Sequence, residues 1–277
     1  MRIVLLSILL ATLASCKPSK NIISISGSDT MAQLSQHLVV AYMKQNKEVR
    51  ISVRGGGSGT GIAAIINGST EIATASRKMK KKEMAMAAAN NAQINEHVIA
   101  LDGIAVLVHK NNPVKELNIE QLSQIFAGKI TNWQQLGGKD QPIFVLSREN
   151  NSGTHVYFKE EVLRKGDKKL KLEFGPRVSY AISSQQIIDQ VKTKENAIAY
   201  VGMGWLSDEV KGIKINDGQN SYAPSVANVQ AGNYPIARSL QMYTRKNSDG
   251  RDLKFINFVM SEPGQAVVKR LGFVPIK

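Results

Sequence analysis

Between Ser147 and His155 the chain reads Ser-Arg-Glu-Asn-Asn-Ser-Gly-Thr-His, which sets a guanidinium, hydroxyls, a glycine and an imidazole close together. Hydroxyls donate hydrogen bonds, and a guanidinium offers a planar two-pronged donor matched to an oxyanion. Gly153 lets backbone approach a ligand closely. Together Arg148, Ser152, Gly153 and Thr154 suit a small tetrahedral anion. An Asn-Ser capped helix with a surface arginine would use the same residues, and that alternative stays open. A catalytic reading fares worse. Ser152 lacks the Gly-x-Ser-x-Gly elbow, and His155 lies only three residues away near a helix start. His37, His97, His109 and His155 show no metal-ligand spacing, so neither an enzyme nor a metal site is expected, and no cofactor.

The flanking residues position this stretch. Ile143 to Leu146 is a short apolar run that reads as a buried strand, and Val156 to Leu163 has helical spacing. The hydroxyls thus fall on a strand-to-helix turn, where the first helical N–H groups lack internal partners and the dipole is positive. The same device occurs twice earlier, at 27–31 (within Ser26-Gly27-Ser28-Asp29-Thr30) and at 55–61 (Gly55-Gly56-Gly57-Ser58-Gly59-Thr60-Gly61). The glycine-rich turn suits an anion cradle. It lacks the Gly-Lys-Ser/Thr ending of a nucleotide loop and the spacing of a dinucleotide fingerprint. Strand–helix alternation implies an α/β fold with parallel sheets and a ligand beyond the strands' carboxyl ends.

Residues 1–16 read as a targeting segment: Arg2, an apolar run from Ile3 to Ala14, then Leu13-Ala14-Ser15-Cys16, which resembles a lipoprotein cleavage box. Cys16 is the only cysteine, so lipidation there leaves no thiol for a disulfide, a metal or a nucleophile. Residues 17–21 make a polar tether. The remaining ~260 residues favour two lobes over one. A net charge of +14 asks for an anionic partner of some kind. With aromatics at 6% and no basic helix or stacking platform, nucleic acid is not that partner. The densest basic cluster, Lys78-Met79-Lys80-Lys81-Lys82, reads as a solvated helix face.

Six segments carry a resemblance: 26–31, 56–62, Ile72-Ala73-Thr74-Ala75-Ser76-Arg77, Ala100-Leu101-Asp102-Gly103-Ile104-Ala105-Val106, 125–133 and 148–154. In order and spacing the chain resembles, over essentially all of 22–277, the compact form of the phosphate-binding proteins of bacterial phosphate ABC importers. The resemblance implies a type II periplasmic-binding-protein fold, with two α/β lobes joined by a two-segment hinge and closing on one phosphate. Lobe I is expected at 22–102 plus 240–277 and lobe II at 103–239. It further implies a monomeric, lipid-anchored (palmitate-bearing) receptor in the periplasm or at the cell surface, which delivers phosphate to the permease subunits. Donors are expected from Ser28, Thr30 and Met31, from Ser58, and from Ser152, Gly153 and Thr154, with Arg148 as charged clamp. Phosphate keeps a proton where sulfate does not, so an acceptor in the site would favour phosphate. Longer relatives place an aspartate where this chain has Arg77, which leaves Asp29, or else Glu149, for that role. Arg77 itself would contact the anion or brace the lobes. Receptors for sulfate or another oxyanion, and an adhesin retaining the fold, are the competing readings.

Elsewhere the pattern predicts helices over Glu83–Asn95 with methionines as core filler, after Asn118, after Ser183, and over 248–260 and 263–271. It predicts extended chain at 99–109, 197–202 and 234–243, and a polar loop at 223–232.

Overall fold

The computed structural model describes residues 22–276; the targeting segment, Cys16 and the tether lie outside the described residues. The chain runs β1 (Ile22–Gly27), α1 (Ala32–Gln45), β2 (Arg50–Arg54), α2 (Ser58–Asn67), β3 (Ile72–Ala75), α3 (Lys81–Ala89) and β4 (Ile94–Val108). It continues with β5 (Glu116–Asn118), α4 (Ile119–Phe126), β6 (Phe144–Arg148), α5 (Gly153–Phe158), β7 (Ser179–Ala181), α6 (Ser184–Val191) and β8 (Ala197–Gly202). After the short strands β9 (Lys211–Gly212), β10 (Lys214–Asn216) and β11 (Ser221–Tyr222) come α7 (Val226–Gln230), β12 (Ala237–Arg245), α8 (Arg251–Met260) and α9 (Glu262–Arg270).

One curled sheet has the order β2-β1-β3-β12-β4-β8-β6-β7, with β9 also on β4. Each end of it is parallel: β2-β1-β3 on one side, β8-β6-β7 on the other. Between them β4 and β12 pair antiparallel, and β4 passes from β12 at Ile94–Gly103 to β8 at Ile104–Val108. Two long strands therefore link two α/β lobes. Strands buried on both faces need near-continuous apolar sequence, which β8 (Ala-Ile-Ala-Tyr-Val-Gly) and the second half of β4 supply. The second lobe packs around Phe126, Phe158 and Tyr200, the last two rings stacked 3.8 Å apart. The first lobe has its own core, built on Ile23, Ile25, Leu34, Leu38, Met242, Phe255 and Val259.

Helix starts follow local chemistry. Asn118 accepts from the Gln121 N–H at 2.8 Å while the Gln121 side chain accepts from the Asn118 N–H, a reciprocal cap for α4. Ser183 caps α6 through the Gln186 N–H. Three expectations need correction. The helix expected at 83–95 spans Lys81–Ala89, because Asn91 adopts a left-handed φ of 51° and Ile94 already opens β4. Its Met84 and Met86 are exposed rather than core filler. The polar stretch at 223–232 holds α7, capped by Ser225 and anchored by buried Val229. Lys78, Lys80, Lys81 and Lys82 are exposed, as a solvated face requires.

Candidate functional site

The three turns meet where the lobes face each other. From the first lobe come the turn after β1 and the start of α2; from the second comes the turn between β6 and α5. Thr30 Oγ1 and Thr154 Oγ1 stand 2.7 Å apart across the cleft, both buried. Beside them Ser58 Oγ accepts from the Ser76 N–H at 3.0 Å and lies 3.3 Å from Ser76 Oγ. Gly153 sits against this serine pair: a Cβ there would fall 2.3 Å from Ser58 Oγ and 2.6 Å from Ser76 Oγ. No side chain fits, so glycine is required by the approach of the lobes. Ser28 Oγ is buried with no partner among the described residues, an orphan donor at the same turn.

Part of the glycine-rich turn's backbone is taken up by the other lobe. Gly59 N–H donates to the Asn151 carbonyl and Asn151 Nδ2 donates to the Gly56 carbonyl, each at 2.9 Å. Gly57, at φ +96°, would drive a Cβ within 2.7 Å of that same carbonyl. The glycines grip the second lobe, and Ser58 is the member that reaches the hydroxyl cluster.

Charge at the cleft is arranged in two pairs, each with a buried arginine. Arg148, at the end of β6, donates from Nη1 to Ser184 Oγ (2.8 Å) and meets Asp29 Oδ2 at 3.0 Å. Its Nε and Nη2 donate to the carbonyls of Ala181 and Ile182. Burial lowers its pKa, opposed by Asp29. Asp29 Oδ2 also accepts from the N–H and hydroxyl of Ser184, so one carboxylate of the first lobe caps α6 of the second. The second pair is Arg238 on β12 with Asp102 on β4. Nε and Nη2 both reach Asp102 Oδ2, at 3.0 and 2.8 Å, and Nη2 also donates to Thr154 Oγ1 at 3.0 Å. Burial pushes the Asp102 carboxyl up against the opposing pull of Arg238 and the Met203 N–H.

The other sequence candidates are placed as follows. The Met31 N–H donates to the Ser28 carbonyl. Ser152 Oγ caps α5 by accepting from the His155 N–H. The His155 imidazole pairs with Ser147 Oγ, not with Ser152, which leaves the supposed nucleophile without a base. Arg77 is buried and forks onto Glu83 at 2.7 and 2.8 Å, bracing the start of α3. Glu149 is half-buried beside the turn. No cluster of three or more metal-ligating side chains occurs among the described residues, nor any helix long and apolar enough to cross a membrane. Sequence reasoning missed Ser76, Asp102, Ser184 and Arg238. A signal existed for one of them: Asp102 interrupts the apolar run of β4, and a carboxylate in such a strand demands a buried cation.

Comparison with known proteins gives one consistent picture. A family model described as a PBP superfamily domain matches residues 14–263. The chain is 31% identical to the phosphate-binding protein PstS of Pseudomonas aeruginosa, over 93% of this chain and 84% of that protein. It is 28% identical to the PstS protein of Borreliella burgdorferi, over 100% and 99%. Among solved structures it is similar, with a TM-score of 0.84 and 35% identity, to a candidate phosphate ABC transporter substrate-binding protein with bound phosphate from Clostridium perfringens; 93% of this chain and 100% of that one are covered.

Proposed function

The chain belongs to the PBP superfamily of binding proteins, and we propose that within it the protein captures inorganic phosphate and delivers it to an ABC importer, as a transport receptor rather than an enzyme. The observation that carries this reading is the Thr30–Thr154 hydroxyl contact, 2.7 Å across the cleft, with Ser58, Ser76 and Gly153 packed beside it. A tetrahedral oxyanion is the ligand whose acceptors match such a cluster of hydroxyl and N–H donors from both lobes.

In this reading the phosphate oxygens take hydrogen bonds from Ser28, Thr30 and the Met31 turn, from Ser58, and from Ser152, Gly153 and Thr154. Arg148, buried beside the turn, supplies charge, with Asp29 against it. Arg77 and Glu149 remain outside the donor set: the first is committed to Glu83, the second lies beside the turn. We place the first lobe at 22–102 plus 240–277 and the second at 103–239, in keeping with the strand crossing at Gly103–Ile104. The chain acts as a monomer, anchored outside the cytoplasm through a lipid on Cys16, and docks on the importer's permease subunits.

Equilibrium dialysis against labelled phosphate tests the function. One phosphate retained per chain in the presence of excess sulfate is the expected result. A chain that retains none, or exchanges it freely for sulfate, contradicts the reading.

A further inference from the structure

The hinge strands carry a cation that the turn motifs do not include. Arg238 comes from β12 and Asp102 from β4, the two strands that join the lobes, and their side chains are almost wholly buried at 2% and 0% exposure. An arginine in such a place is fixed by its carboxylate: Asp102 Oδ2 takes Nε and Nη2, and Asp102 Oδ1 takes the Met203 N–H at 3.0 Å. The guanidinium plane is therefore set by the sheet, without a flexible loop.

What that plane presents is specific. Nη2 donates to Thr154 Oγ1, which is itself 2.7 Å from Thr30 Oγ1. A continuous hydrogen-bonded line thus runs from the first lobe's turn, through the second lobe's turn, to the hinge. Nη1, on the same fork, is buried and has no partner among the described residues. A buried guanidinium nitrogen without an acceptor is costly, and its presence at a functional cleft calls for a ligand. By contrast every guanidinium nitrogen of Arg148 already has a protein acceptor. Arg238 also lines a cavity of about 520 Å³ beside the hinge, together with Arg77, Lys78, Tyr157 and the carboxylates Glu160 and Glu161. The Tyr157 ring lies 5.7 Å from the guanidinium carbon and closes its other face.

We propose that Arg238, oriented by Asp102, is a direct phosphate ligand: Nη1 donates to a phosphate oxygen that the Thr30 and Thr154 hydroxyls also contact. The assignment rests on the phosphate reading above. It places the anion's cation on the hinge, where ligand contact and lobe closure share one side chain. Asp102 is the positioning residue, since its oxygens are occupied by Arg238 and Met203 and reach the anion only through the arginine.

The test is calorimetric titration of phosphate into wild type, Arg238→Lys, and the charge-balanced double variant Arg238→Gln with Asp102→Asn, each with a melting temperature taken without phosphate. The double variant avoids a lone buried carboxylate. Expected are an affinity loss of at least thirtyfold in the double variant and about tenfold in Arg238→Lys, which keeps the charge but not the fork. Phosphate should also raise the double variant's melting temperature far less than the wild type's, a difference that a purely structural role would not produce. Affinities within threefold of wild type in the double variant overturn the assignment; if that variant does not fold, the same result in Arg238→Lys does so. Wild type binding phosphate while both variants bind equally well removes Arg238 alone, whereas wild type failing to bind removes the phosphate reading and this assignment together.

Discussion

Asp29 Oδ2 lies 3.0 Å from Arg148 Nη1, and the two residues belong to opposite lobes. Both Ser184 donors converge on the same carboxylate oxygen at 2.8 Å. The pair ties the two lobes together, because separating them would expose a buried guanidinium without its carboxylate. Removing one partner of such a buried charge pair typically weakens binding by roughly 2–5 kcal/mol. Arg148→Ala is expected to lose phosphate affinity on that scale, and Arg148→Lys to recover part of it. Calorimetry showing wild-type affinity in Arg148→Ala would make the stretch structural only.

Asp29→Asn separates two roles for this carboxylate. An acceptor for the phosphate proton would, once neutral, let sulfate bind, and the phosphate-to-sulfate ratio would collapse. The observed partners of Oδ2 are all in the second lobe, so closure is the expected role. Asp29→Asn should then weaken phosphate and sulfate together and leave their ratio near the wild-type value. Competition titrations with both anions decide it, and a collapsed ratio returns Asp29 to the selectivity role.

Gly153→Ala tests how tightly the lobes must meet. The added methyl would lie 2.3 Å from Ser58 Oγ, closer than any real contact permits. Overpacking of this kind costs about 1–3 kcal/mol. Here the strain falls on closure, so phosphate affinity should drop roughly tenfold or more while the unliganded melting temperature changes little. Unchanged affinity would mean that the serines move aside freely.

His155 supplies a pH dependence with a defined sign. Burial pushes its pKa down to about 4, against about 6.5 in an unfolded chain. Between those values the unfolded chain binds the proton and the folded one does not, so this contribution to stability is full above about pH 6.5 and is lost as pH falls toward 4. The total is on the order of 3 kcal/mol. Denaturant unfolding of wild type and His155→Gln at pH 7 and pH 4.5 checks it. The wild type should lose more stability between the two than the variant; equal losses would place the imidazole's titration elsewhere.

Cys16→Ser addresses the anchor. A diacylated cysteine provides about the two chains that stable membrane attachment needs. The variant is expected to bind phosphate unchanged and to leave the membrane fraction or remain unprocessed. Fractionation that finds it processed and still firmly bound would put the anchor at another position.

Much of the architecture was legible because it is written in short-range pattern. The β–turn–α repeats, the Asn118 and Ser183 caps and the apolar run of β8 each follow from neighbours in sequence. The turn hydroxyls of Thr30, Ser58 and Thr154 could be read for the same reason. What sequence could not show was which donors are already spoken for. Asp29 and Ser184 are 155 residues apart, and Asp102 and Arg238 are 136 apart. Such pairings depend on how the lobes and hinge strands stack, as does the contact of Asn151, from the other lobe, with the Gly59 N–H and the Gly56 carbonyl. The end of α3 was misplaced for a local reason: Asn91 tolerates a left-handed backbone that few residues adopt.

The central claim is selective capture of phosphate by the cleft between the lobes, and side-by-side calorimetry with phosphate, sulfate and molybdate at pH 7–8 tests it most directly. The account predicts one phosphate per chain, bound far more tightly than either other anion. Sulfate binding as tightly as phosphate, or tighter, would contradict it.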